Sequence, residues 1–148
     1  MNFIIIAVMI LATGDIMSLQ EYYLARAIQG ERPDLVCPKL DECSGLPEKI
    51  GQVVLNRLDA GWCGSIQECV DSGFWGAREI ALPDPWAVQA ARNVLAADTT
   101  TDEFYVFSIH DVSKLELDLD DALYTAQGNG YALAFYGRDT DWRKETVK

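Results

Sequence analysis

The sequence predicts an α+β fold, a mostly helical single domain carrying a small antiparallel sheet. Three observations lead there. The chain has 148 residues, which suits one domain at roughly 100–200 residues per domain. Apolar residues recur at helical spacing behind capping residues in the earlier part of the chain, whereas β-rich hexamers beside turn-forming glycines occur only late. An apolar share of 49% is enough to bury a core and argues against disorder.

The elements follow in order. Residues 3–12 (FIIIAVMILA) are an unbroken apolar run, about half the ~20 residues a spanning helix needs. Ala12-Thr13-Gly14 offers small residues where a signal peptidase reads. Residues 1–16 are therefore expected to be a signal peptide or N-terminal anchor, and 17–148 the folded domain. No Lys or Arg precedes the run, so a buried core helix and initiation at Met17 stand as alternatives. Ser18-Leu-Gln-Glu21 is a capping box opening a helix that ends near Gly30-Glu31. Residues 32–46 contain two prolines and two cysteines without periodicity and read as a long loop. Pro47 opens a second helix, with Ile50, Val53, Val54 and Leu58 on one face.

Ser65-Ile-Gln-Glu68 is a second capping box, for a short helix through Val70. Asp84-Pro85 pairs an N-cap with a first-turn proline and starts a helix reaching about Ala97. Phe104–Ile109 and Tyr131–Tyr136 are the clear strands, the second after a Gly128-Asn129-Gly130 turn suited to a hairpin. Between them, alternation at Leu115, Leu117 and Leu119 competes with a short helix near 111–115, and the tail from Arg138 is expected to fray.

Composition removes whole classes of function. Twelve basic against 23 acidic residues give a net charge of −11, so neither nucleic acid nor an anionic membrane surface is an expected partner. There is no glycine-rich phosphate loop and no cofactor is expected. Glu116, Asp118, Asp120 and Asp121 lack the glycine and distant glutamate of an EF-hand loop, and no metal site is expected. Ser108, His110 and Asp111 are close in sequence, but neighbouring strand residues point to opposite faces, which argues against a triad. Cys37, Cys43, Cys63 and Cys69 form two C-x5-C pairs. In a short chain with an export-like start they favour disulfides, in any of three connectivities, over free thiols or zinc.

One carboxylate is out of place. Glu31 ends an apolar helix at a position where the core would take a leucine. If that carboxyl is buried, its charged form is disfavoured and its pKa rises toward the range of a general acid. A solvent-exposed helix-end glutamate is the plainer alternative.

The segments Leu24-Ala-Arg-Ala-Ile-Gln-Gly-Glu31 and Val53-Val-Leu-Asn-Arg-Leu58 resemble the paired signature of the SleB-type cell wall hydrolases, the spore cortex-lytic enzymes. Trp62-Cys-Gly-Ser-Ile-Gln-Glu-Cys-Val70, Gly73-Phe-Trp75, Tyr105-Val-Phe-Ser108 and Phe135-Tyr136 extend the likeness across roughly residues 19–137. The resemblance implies a lysozyme-like groove and cleavage of the β-1,4 bond between N-acetylmuramic acid and N-acetylglucosamine in peptidoglycan. Glu31 matches the catalytic acid, acting alone as in a lytic transglycosylase. Phe74, Trp75, Tyr105 and Tyr136 are candidates to line the saccharide groove, each with a core role as the alternative. Ser108 is a candidate polar contact on the strand. Asn56 is expected to meet substrate or a loop, or to tie its helix to the first one.

The chain departs from the family pattern in three places. Leu35 stands where a second glutamate is usual, a Pro- and Cys-bearing insertion replaces a tight glycine turn, and Tyr131–Tyr136 lacks the family's histidine. The anionic substrate also sits awkwardly with the charge, unless Arg26, Arg32, Arg57 and Arg78 gather near the groove. The chain is thus expected to be a secreted or cell-envelope glycosidase of host or phage origin, monomeric, with a membrane tether available through its N-terminus. A non-catalytic wall-binding module on the same fold is the competing reading.

Overall fold

Ser18 starts the first helix as its spacing to Glu21 demands. In the computed structural model, which describes residues 9–10, 16–43, 45–97, 99–109 and 119–140, the Glu21 N–H donates to Ser18 Oγ at 3.1 Å and the Ser18 N–H to Glu21 Oε1 at 3.3 Å. Helix α1 spans Leu19–Gly30 and buries Leu24, Ala25, Ala27 and Ile28. It is preceded by a short antiparallel pairing of β1 (Met9–Ile10) with β2 (Ile16–Met17). The remainder of the expected export segment lies outside the described residues.

Arg32 takes a left-handed conformation, φ 56°, and turns the chain out of α1. The expected loop after it holds a one-turn helix, α2 (Pro33–Val36), and a 3-10 turn at Leu40–Glu42. Proline at the first helical position nucleates α2 despite the lack of periodicity, and a Cys37–Cys43 disulfide closes the segment. Helix α3 (Leu46–Asp59) lays Ile50, Val53 and Val54 against α1, and α4 (Ile66–Gly73) follows, capped by Ser65. The Cys63–Cys69 disulfide joins the start of α4 to its approach. Of the three connectivities, the one that pairs each cysteine with its near neighbour is thus formed, as suits an oxidising compartment.

A 3-10 turn at Trp75–Glu79 leads to α5 (Pro85–Ala97), whose Ala87, Val88, Ala91 and Val94 complete a core shared by α1, α3 and α5. Three side chains one turn apart along α1 secure the connecting segment. Tyr22 Oη donates to the Ala81 carbonyl at 3.0 Å, Arg26 Nε donates to the Ile80 carbonyl at 2.8 Å, and Gln29 Oε1 accepts from the Asp84 N–H at 2.7 Å. At the C-terminal end of α1 the approach is backbone to backbone. A Cβ on Gly30 would lie 2.4 Å from the Gly76 carbonyl carbon, and one on Gly76 would lie 2.3 Å from the Gly30 oxygen. Only glycine fits at either position, and this contact fixes the helix end that carries Glu31.

The sheet comprises β3 (Glu103–Ile109), β4 (Tyr124–Gly128) and β5 (Tyr131–Gly137), antiparallel in the order β3-β5-β4. Asn129 and Gly130, both at positive φ, close the β4–β5 hairpin in two residues, as the Asn-Gly pair favours. Strand alternation places Val106 and Ser108 on the face shared with Phe135 and Leu133, which belongs to the core. Tyr105 and Phe107 share the opposite face with Tyr136. The ambiguous stretch 110–118, with His110, Asp111, Glu116 and Asp118, and the tail after 140 lie outside the described residues. Among the described residues, no helix is long and apolar enough to cross a membrane.

Candidate functional site

Glu31 and Ser108 meet where the end of α1 reaches β3. Glu31 is the residue on which α1 ends, at φ −80° and ψ −4°. Its carboxyl is turned toward the sheet, where Ser108 Oγ lies 2.6 Å from Oε2 and 2.7 Å from the Glu31 backbone carbonyl oxygen. A serine hydroxyl has one proton to donate. Both contacts become hydrogen bonds at once when the carboxyl is protonated: Glu31 donates to Ser108 Oγ, and Ser108 donates to the Glu31 carbonyl. When the carboxyl ionises, the hydroxyl turns to donate to Oε2 instead. The pair therefore serves both protonation states with the same atoms.

Withdrawal from water dominates the electrostatics. Burial pushes the Glu31 carboxyl above the ordinary carboxylate range, opposed by hydrogen bonding from Ser108 and by the positive charge of Arg57. Arg57 is held firmly. Its Nε donates to the Phe104 carbonyl at 2.7 Å, and its guanidinium lies 5.1 Å from the Phe74 ring centre, 5.4 Å from Tyr105 and 5.7 Å from Trp62. Burial lowers the guanidinium's own pKa, while Tyr105 and Glu31 oppose that shift. An arginine remains charged in such surroundings, so the positive charge that acts on Glu31 is permanent.

The other sequence candidates divide. Ser108 touches Glu31. Tyr105 borders Arg57 and stacks parallel to Phe107 at 6.4 Å. Trp75 is 66% exposed, beside the Gly76–Gly30 contact, with the Arg78 guanidinium 4.3 Å from its ring centre. Phe74 and Tyr136 are buried at 2% and 0% exposure. Phe74 backs Arg57, and Tyr136 meets Phe107 edge-on at 5.8 Å; neither faces a groove, because each is enclosed by its neighbours.

Asn56 is also enclosed, at 2% exposure, and of the roles expected for it the hydrogen bonds show the contact with a loop and none with α1. It donates to the Glu103 carbonyl at 2.6 Å and to Thr101 Oγ1 at 2.9 Å, and accepts from the Thr101 N–H at 3.0 Å and from Gln52 Nε2 at 2.9 Å. Asn56 thereby anchors the segment leading into β3.

The arginines do not gather as a group of four. Only Arg57 acts on Glu31. Arg26 is committed to the Ile80 carbonyl, Arg32 pairs with Asp34 at 3.0 Å, and Arg78 covers Trp75. The positioning roles of Gly30 and Gly76, and the aromatic enclosure of Arg57 by Trp62, were not read from the sequence. The Trp62-Cys63 step beside a helix-ending glycine was the available signal. Among the described residues, no group of three or more His, Cys, Asp or Glu side chains converges as a metal site would require. No protein-family model, curated protein or solved structure matches the chain.

Proposed function

We propose that this protein is an exported peptidoglycan-cleaving enzyme of the SleB type, acting on the N-acetylmuramic acid–N-acetylglucosamine bond as a lytic transglycosylase with Glu31 as its single acid and base. The observation that carries this reading is the Glu31 carboxyl at the end of α1, partly withdrawn from water, in contact with Ser108 and under the influence of the Arg57 charge. A carboxyl in that setting keeps its proton at a pH where exposed carboxylates have lost theirs, as a general acid must.

The reaction divides into two proton transfers. Glu31 donates its proton to the glycosidic oxygen as the C1–O bond breaks and an oxocarbenium-like centre develops at C1 of the muramic unit. The carboxylate left behind accepts a hydrogen bond from Ser108 and is stabilised by Arg57. It then removes the proton from the C6 hydroxyl of the same unit as that oxygen bonds to C1. The product is a 1,6-anhydro ring, and Glu31 ends protonated as it began. No water is consumed and no second carboxylate is needed, unlike the paired-carboxylate schemes of most glycosidases. The two disulfides agree with a site of action outside the reducing cytoplasm.

The test is digestion of purified peptidoglycan by the wild-type chain and by Glu31→Gln, with products read by mass spectrometry. Anhydro-muropeptides from the wild type alone are the expected result. Hydrated reducing ends would make the enzyme a hydrolase. An absence of product from either protein would leave a saccharide-binding module.

A further inference from the structure

We propose that Arg57, Trp62 and Arg138 form a subsite for a carboxylate-bearing sugar unit. The inference rests on the reading of this protein as a glycan-cleaving enzyme and names the substrate feature that the site selects.

Trp62 is a built platform. Helix α3 ends in a Schellman turn, with the Gly61 N–H donating to the Leu58 carbonyl at 3.1 Å and the Trp62 N–H to the Arg57 carbonyl at 3.0 Å. Gly61 supplies the positive φ of 79° that this turn requires. The next residue, Cys63, is tied by its disulfide to Cys69 on α4. Trp62 is thus fixed on both sides along the chain, yet 40% exposed. Its ring rests against Phe104 at 5.2 Å and Tyr105 at 5.7 Å. A rigid, half-exposed indole is suited to the apolar C–H face of a pyranose, because little side-chain entropy remains to be lost on contact.

The charge around that ring is positive in a chain of net −11. The guanidinium groups of Arg57 and Arg138 each lie 5.7 Å from the Trp62 ring centre, and Arg138 lies 5.7 Å from Phe104 as well. The four ion pairs among the described residues involve Arg32, Lys39, Lys49 and Arg92; Arg57 and Arg138 are in none of them. Two guanidinium groups lie beside one half-exposed indole, neither in an ion pair among the described residues; Arg57 also acts at longer range on Glu31, so Arg138 supplies the uncommitted donors for a carboxylate. The glycan proposed as substrate carries a carboxylate on the lactyl group of a bare muramic unit or, where a stem peptide is joined to that group as an amide, on the peptide. Such a subsite resolves the charge conflict between an acidic enzyme and an anionic polymer: the repulsion is general and the attraction is local.

The experiment measures binding calorimetrically to the full-length Glu31→Gln chain, so that turnover does not intervene. Three ligands are compared: the N-acetylglucosaminyl–N-acetylmuramic acid disaccharide, the same disaccharide bearing a stem peptide, and neutral N,N′-diacetylchitobiose. At low salt, the carboxylate ligands should bind about tenfold tighter than diacetylchitobiose, as for one charged hydrogen-bonded contact. A second substitution, Arg138→Gln, at an exposed side chain, should abolish that preference while leaving the melting temperature unchanged. Trp62→Ala should weaken all three ligands. The stronger of the two acidic ligands identifies which carboxylate is held. Equal affinity for diacetylchitobiose and the acidic ligands, a preference that survives Arg138→Gln, or no binding of any ligand would overturn the subsite. Failure of the cleavage reading is seen separately, as absence of product from wild type.

Discussion

Ser108 Oγ stands 2.6 Å from Glu31 Oε2 and 2.7 Å from the Glu31 backbone oxygen, across 77 residues of sequence. One hydroxyl therefore binds both the reactive end and the backbone of the proposed acid. It fixes the carboxyl's orientation and accommodates its proton in either state.

Glu31 should make stability fall with rising pH. Below its ordinary pKa of 4.5, the carboxyl is protonated in both the folded and the unfolded chain, and its contribution is fully present. As pH rises past 4.5, the unfolded chain ionises first, because the folded value is raised. The contribution is then lost until the folded carboxyl ionises too, at about 1.4 kcal/mol for each pH unit separating the two values. Glutamine does not titrate. Urea denaturation at pH 4 and pH 8 should therefore show the stability of wild type relative to Glu31→Gln smaller at the higher pH. A difference that is constant or grows would remove the neutral buried carboxyl from the mechanism.

Ser108→Ala should cost about 1 kcal/mol of stability, as for one partly buried hydrogen-bond partner lost. If the same energy is missing from the transition state, kcat on peptidoglycan should fall about fivefold. KM should hold, since Ser108 contacts Glu31. Ser108→Thr retains the hydroxyl and should recover most of the rate. A rise in KM at unchanged kcat would make Ser108 a substrate contact.

Gly30→Ala and Gly76→Ala should each destabilise the fold by about 1–3 kcal/mol or more, the usual range for overpacking, because the added methyl meets backbone rather than a movable side chain. Gly64→Ala is the control: its nearest neighbour is the carboxylate end of Glu68 at 3.1 Å, which can move. Thermal melts of the three variants compare them directly, and melting of Gly30→Ala at the temperature of Gly64→Ala would refute the close approach.

Asn56→Ala should lower stability by about 1–3 kcal/mol, since it removes a buried amide whose hydrogen bonds hold Gln52 and the partly buried segment at Thr101 and Glu103. Denaturant titration gives that loss. A variant of wild-type stability with a raised KM would instead return Asn56 to the substrate.

Local chemistry was legible in the sequence. Ser18, Ser65 and Pro85 announced the starts of α1, α4 and α5, and Asn129-Gly130 the hairpin, because a cap or a tight turn is decided by residues a few positions apart. The apolar faces of α1 and α3 were equally clear, since 3.6-residue periodicity is a property of the chain itself. Strand β4 was less so. Its residues, Tyr124-Thr-Ala-Gln-Gly128, alternate weakly because the strand lies at a sheet edge and much of it is only partly buried.

By itself, then, the sequence determined the four longer helices α1, α3, α4 and α5, the hairpin turn and an acidic residue at an unusual helix end. The tertiary structure decided what that residue faces. Four arginines were equal candidates on paper, and docking gave Glu31 only Arg57. Phe74, Tyr136 and Asn56 went inside, while Trp62 was left half exposed at the end of α3. The choice among the three cysteine pairings was also made in space. The physical reason is range: capping and periodicity act within one turn of chain. The meeting of Glu31 with Ser108 of β3 depends on how whole elements pack, with the end of α1 also seated against the turn at Trp75–Glu79 by the Gly30–Gly76 approach, which no local pattern encodes.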